Sequence, residues 1–250
     1  MNKTLESYLL HLADNALILG HRNSEWCGHG PVLEQDIALT NIALDQLGQA
    51  RYFYQYAAEL HGNGFTEDSF AYLRDVQHFK NCLICELPNN DWGFTIMRQY
   101  LLSLYQFLLY SKIRNSTDKQ IAAIATKSLK ETTYHLKWSG QWVIRLGDGT
   151  TESNERMKEA WQNLKDYVHE MFLPSSYETE LADQQVAYDP SLLLNEFNDS
   201  VSETFEEATI PFDLPEWTQK GGKDGNHTEH LGYILAEMQY LQRAYPGSTW

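Results

Sequence analysis

Apolar residues recur at spacings of three and four along most of the chain, and no stretch alternates with the two-residue period of a strand. The spacing predicts helices over residues 4–19 and 33–60, and a shorter helical patch over 68–85 ahead of Pro88. Asn90 or Asp91 can cap a third long helix that runs to Arg114, and the turn Asn115-Ser-Thr-Asp leads into a fourth over residues 118–146. Gly147-Asp-Gly149 ends that helix, and a fifth covers residues 152–172 up to Pro174. Asp189-Pro190 opens a sixth, with Asp189 as cap and proline in the first turn, reaching Ala208. A Pro- and Gly-rich loop over 211–225 leads to a last helix over 227–245.

Four long helices in two antiparallel pairs describe a four-helix bundle. The longer connection between the second and third gives the crossover of a ferritin-like fold, with additional C-terminal helices packed around it. No linker interrupts the pattern, so the expectation is a single ferritin-like helical domain over residues 1–250.

The inner faces carry the chemistry. Leu39, Ile42, Gln46, Gln49, Phe53, Tyr56 and Leu60 form one stripe on the second helix, apolar except at its centre. On the fourth, Ile124, Ser128, Glu131, His135, Trp138 and Trp142 share a stripe. Buried amides need hydrogen-bond partners, and a buried carboxylate needs a donor or a cation. The expectation is a polar belt of Gln46, Gln49, Glu131, Tyr134 and His135, with Asp14, Tyr105 or Gln106 at similar height. A di-iron carboxylate site takes a Glu from each of two helices and Glu-x-x-His from each of the other two. Here the second helix gives Gln-x-x-Gln and the fourth Glu-x-x-Tyr, with its His one position late. Two interpretations remain open: a hydrogen-bonded belt in place of a metal site, or a metal site with an unusual ligand set.

Charge and cysteine usage narrow the classes. The chain has 250 residues and a net charge of −15, which repels phosphate backbones and argues against a nucleic-acid partner. No apolar run is long enough to cross a bilayer, and the N-terminus does not lead into a signal peptide, so a cytoplasmic protein is expected. Cys27, Cys82 and Cys85 form no disulfide framework. Cys82-x-x-Cys85 has redox spacing but lies in an apolar run without a βαβ context, which favours buried structural thiols.

His227-Thr-Glu-His230 could ligate a metal, but Asn226 to Glu229 also has capping-box spacing. His227, Glu229 and His230 are therefore read as capping or interface groups. The preceding KGGKDG could cradle an anion or form a flexible loop. His21, Arg22, Glu25 and His29 either tie down the first loop by hydrogen bonds or face a partner, and Arg51 suits a salt bridge. No nucleotide-binding fingerprint appears.

Three segments carry a family resemblance: NSEWCGHGPVLEQDIALTNIALDQLGQARYFYQYAAEL, KSLKETTYHLKWSGQWVIRLGDGT and KDGNHTEHLGYILAEMQYLQRAYPG. They resemble the C subunits (PaaC) of bacterial ring-1,2-phenylacetyl-CoA epoxidases nearly end to end. The resemblance implies a ferritin-like fold and a place in aerobic phenylacetate catabolism. It implies a structural, non-catalytic chain with no cofactor of its own. A paralogous catalytic A subunit (PaaA) would hold the di-iron centre, with Glu-x-x-His where this chain has Gln46 and Gln49. A B subunit and an NADPH-dependent reductase with FAD and an iron–sulfur cluster would complete a hetero-oligomer. The competing expectations are a free-standing helical protein and a ferritin-like oxidase with an unusual metal site.

Overall fold

A computed structural model describes residues 3–248. The described residues contain helices and connections but no strand, and no helix is long and apolar enough to cross a membrane. The fold is all-α and ferritin-like. The chain divides into two compact units, one holding the residues up to Pro88 and from Lys220 onward, the other Asn89–Gln219.

The first unit is built on a hairpin of α1 (Lys3–Ser24) and α2 (Leu33–His61). α1 runs further than its apolar spacing predicts, through His21 and Arg22. Basic groups suit the last turn of a helix, and Arg22 also bonds the carbonyl of Glu86 through Nε at 3.1 Å and Nη2 at 2.8 Å. The predicted helical patch over 68–85 is broken. It consists of α3 (Glu67–Tyr72), a 3₁₀ turn at Val76–His78 and α4 (Leu83–Glu86). The physical reason lies on α1: Asp14 accepts from the Lys80 amide at 2.7 Å and Asn15 from the Cys82 amide at 2.8 Å. These backbone donors are satisfied without helix.

The same unit closes with a 3₁₀ turn at Gly222–Asp224, α10 (Glu229–Met238) and α11 (Tyr240–Ala244). The single predicted C-terminal helix is thus interrupted at Gln239. That side chain is buried and donates to the carbonyls of Ala71 and Arg74, both at 3.0 Å.

The second unit is built on a hairpin of α5 (Trp92–Ile113) and α6 (Lys119–Gly147), capped by Asp91 and Asp118. α7 (Thr151–Val168) follows, then α8 (Ser176–Asp183) and α9 (Leu194–Glu207). α8 is absent from the predicted elements, although its capping box of Ser175 and Glu178 is written in the sequence. α9 is preceded by a 3₁₀ turn at Pro190–Leu193, with Asp189 accepting from the Ser191 amide. Gly147 lets α6 end against Ala208: a Cβ there would stand 2.3 Å from the Ala208 oxygen.

Candidate functional site

Gln46 and Gln49 lie where the helical pattern places them. Both are fully buried on α2, in line with Leu39, Ile42 and Phe53. The lower end of the stripe departs from expectation: Tyr56 and Leu60 are half-buried, and Tyr54, Ala57 and Ala58 carry the buried face onward. On α6 the correction is larger. Its buried line is Ile124, Ser128, Thr132, His135, Ser139 and Val143. Tyr134 is 49% exposed, so it is no member of a buried belt. Glu131 is half-buried at the edge of that face, with Trp138 and Trp142. Its charge acts on Tyr110 of α5, whose hydroxyl pKa is pushed up first by burial and then by Glu131. Tyr105 and Gln106 of α5 are buried.

These donors do not fit a di-iron carboxylate centre, which takes four Glu and two His. α2 offers neutral amides, which are poor iron ligands. On α6 the imidazole is four residues from Glu131, and the residue at the three-residue spacing points outward. Among the described residues no three His, Cys, Asp or Glu side chains gather as metal ligands.

The densest buried chemistry lies elsewhere, inside the first unit, at two carboxylates. Asp14, predicted to join the mid-bundle belt, pairs with the Arg74 guanidinium and accepts from the Tyr54 hydroxyl. A second Arg74 nitrogen reaches its other oxygen at 3.1 Å, beside the Lys80 amide. Arg74 also donates to the carbonyls of Phe70 at 2.6 Å and His78 at 2.8 Å, and lies 4.1 Å from the Phe79 ring centroid. Burial works against the Arg74 charge, but Asp14 and Tyr54 together outweigh it and hold the guanidinium pKa above its usual value. The Tyr54 phenol is pushed well up, chiefly by burial and then by the Asp14 charge.

The second carboxylate is Glu86 at the end of α4. Its Oε2 accepts from His227 Nδ1 at 2.9 Å and Asn81 Nδ2 at 3.0 Å, and its Oε1 accepts from the Thr228 amide at 2.7 Å. His227 Nε2 donates to the Phe79 carbonyl at 3.0 Å. Neither side chain of the pair has any exposure. This corrects the expectation for His227, which is neither a cap nor an interface group. The cap of α10 is Thr228, whose side chain accepts from the His230 amide. Glu229 is exposed in the first turn and His230 half-buried. Capping by Asn226 is likewise overturned.

Between the two nodes, His11 donates through Nδ1 to the Lys80 carbonyl at 2.7 Å, and Asn15 Oδ1 accepts from the Cys85 thiol at 3.4 Å. Cys82 and Cys85 are buried and form no disulfide among the described residues, while Cys27 is exposed. The glycine loop before α10 is no open anion cradle. Lys223 is buried, and Cβ atoms at Gly222 and Gly225 would stand 2.2 Å from the Asn81 oxygen and 2.3 Å from the Gln77 oxygen. The first loop is tied as expected, with Arg22 donating to Glu25 at 2.7 Å and His29 to the Cys27 carbonyl at 3.1 Å. Arg51 pairs with Glu67 at 3.2 Å.

Every member of this network is engaged by its neighbours. Its chemistry is that of a clamp, joining α1, the 74–86 segment and the start of α10. Sequence inspection missed Arg74 and Glu86. Glu86 did carry a signal, as a lone carboxylate in the apolar run Cys-Leu-Ile-Cys-Glu-Leu-Pro, where a buried charge demands a partner.

Comparison with known proteins places the molecule. The chain is 45% identical over 246 residues to the C subunit of the 1,2-phenylacetyl-CoA epoxidase of Escherichia coli (strain K12), covering 98% of this chain and 99% of the relative. The family described as phenylacetic acid catabolic protein matches residues 1–250, and the chain belongs to that family.

Proposed function

We propose that this chain is the structural, non-catalytic member of a multicomponent phenylacetyl-CoA epoxidase, binding and supporting a catalytic di-iron A subunit. The observation that carries the proposal is the pair Gln46 and Gln49. They are fully buried at a three-residue spacing on a long helix, where a Glu-x-x-His pair would supply iron ligands. In their place stand amides that hydrogen-bond but do not balance iron charge. A bundle with this donor set keeps the framework of a di-iron protein and contributes shape and surface to its complex. The B subunit and a reductase carrying FAD and an iron–sulfur cluster are its further partners. The supporting relative is the C subunit of a 1,2-phenylacetyl-CoA epoxidase.

Two measurements on the full-length chain test the proposal. Metal analysis of the purified chain is expected to give substoichiometric iron. Epoxidation of phenylacetyl-CoA by the reconstituted oxygenase is expected to require the chain, while the chain alone has no activity. Stoichiometric iron that is lost on Glu131→Ala or His135→Ala would overturn the proposal in favour of an oxidase. Undiminished epoxidation without the chain would favour a free-standing helical protein.

A further inference from the structure

The outer face of α10 and α11 takes no part in the network above. Tyr233 is 70% exposed, Tyr240 62% and Leu241 51%, and Ala236 and Glu237 lie exposed among them. Beside them runs a groove of about 510 Å³ walled by Val76, Leu235, Ala236, Tyr240 and Ala244. The face is fixed in place from behind. Gln239 is bonded to Ala71 and Arg74, and Arg243 donates to the Arg74 carbonyl and to Asp75 at 2.9 Å each. At the groove edge Gly232 has no atom within 4 Å of where a Cβ would stand, so the space is open.

The charge of this face selects its occupant. Glu229 and Glu237 are exposed and make no ion pair among the described residues, while the basic Arg243 is already joined to Asp75. The surface is therefore aromatic and anionic. Tyrosine faces attract guanidinium and ammonium groups, and carboxylates bind them in charge-assisted hydrogen bonds. Exposed tyrosines around an apolar pocket are also what interface hot spots are made of. A second copy of this chain is a poor occupant: it carries the same −15 net charge, and a twofold contact would set this anionic face against itself.

We propose that the α10–α11 face docks a segment of another subunit of the oxygenase, one with Arg or Lys flanking an apolar side chain that enters the groove. The proposal rests on the assignment of the chain as a complex-forming subunit. The test is a binding titration of the full-length chain against the co-purified oxygenase subunits. Ala236→Arg, which fills the groove lip, and Tyr240→Ala are each expected to weaken binding by about tenfold or more. Glu237→Lys is expected to weaken it by a factor that shrinks as salt rises. All three positions are exposed, so melting temperatures should match wild type and separate lost contact from lost folding. If wild type binds and the variants bind equally well, this face is not the docking surface and only the present inference fails. Variants that lose self-association alone would make a second copy the occupant and overturn it as well. A wild-type chain that binds no oxygenase subunit overturns the subunit assignment and this inference together.

Discussion

His227 Nδ1 stands 2.9 Å from Glu86 Oε2, a contact that ties together stretches of chain 141 residues apart. Nε2 faces the Phe79 carbonyl, which only accepts, and Glu86 also accepts from Asn81 and the Thr228 amide. With both ring nitrogens protonated, Nδ1 donates to Glu86 and Nε2 to that carbonyl. Burial alone would lower the His227 pKa, but the Glu86 hydrogen bond and charge, with the Phe79 carbonyl and the Asp14 charge, outweigh it, so the net shift is upward.

His227→Gln or Glu86→Gln leaves one buried partner unpaired and is expected to cost about 3–5 kcal/mol of stability. The pH dependence has a definite sign. An unfolded histidine titrates near 6.5, below the raised folded value. The contribution of His227 is therefore complete below the unfolded pKa and is lost as pH rises from there through the folded pKa. Urea midpoints measured across that range should fall more steeply for wild type than for His227→Gln. Parallel profiles for the two proteins would remove His227 as the source.

The glycines of the loop before α10 serve the same clamp. Gly222→Ala drives a Cβ to 2.2 Å from the Asn81 oxygen, and Gly225→Ala meets the Gln77 oxygen at 2.3 Å from a φ of +86°. Each is expected to destabilise by about 1–3 kcal/mol as backbone is forced apart. Gly48, inside α2, has no atom within 4 Å of its Cβ position. Gly48→Ala is expected to stabilise by about 0.5–1 kcal/mol through helix propensity. Thermal unfolding of the three variants orders them, and a stabilised Gly222→Ala would contradict the close packing.

A third prediction concerns the paired amides. Gln46→Glu with Gln49→His places the missing letters on α2 but supplies none of the other ligands a di-iron site needs. Burying an unsatisfied carboxylate is costly, so the double variant should melt below wild type, and further below it at higher pH, where the carboxyl must ionise. Metal analysis and dioxygen uptake after iron loading should match wild type. Two bound irons with dioxygen turnover would show that the remaining ligand set is intact.

The long helices are legible because their apolar residues keep helical spacing, and Asp91 and Asp118 cap as their residue type suggests. The burial of Gln46 and Gln49 follows from the same spacing. The 68–85 segment is not legible, because its backbone donors at Lys80 and Cys82 are met by Asp14 and Asn15, 66 and 67 residues away. No local pattern reports so distant a partner. The buried face of α6 is misjudged for a different reason. Beside Ser128, which the apolar spacing already places inside, it is lined by Thr132 and Ser139, small hydroxylic residues that look like surface in a hydropathy pattern. Inside a helix such a hydroxyl can bond its own backbone, as Ser139 does to the His135 carbonyl at 2.7 Å, and so enter the core. Once those positions are taken as buried, Tyr134 falls on the outer side.

Two helix ends carry the same backbone strain with different compensation. After α8, Gln185 has φ +58°, with its amide bonded to Ala182 at 2.9 Å and the Val186 amide to Leu181 at 2.9 Å. After α9, Thr209 has φ +55°, with the Ile210 amide bonded to Phe205 at 2.9 Å. Both are Schellman ends, whose left-handed residue is normally glycine. Gln185→Gly should relieve this strain and stabilise by about 1 kcal/mol, since a left-handed non-glycine residue costs roughly 1–2 kcal/mol. Thr209 is different. Its hydroxyl donates to the Gly147 carbonyl at 3.2 Å and accepts from Asn154 Nδ2 at 3.0 Å, joining α9 to the end of α6. Thr209→Gly gives up those bonds, each worth about 0.5–1.5 kcal/mol, and so offsets the relief. Denaturant melts should therefore raise the midpoint for Gln185→Gly and leave it level or lower for Thr209→Gly. An equal gain at both sites would mean that the Thr209 hydroxyl contributes nothing to the α6–α9 junction.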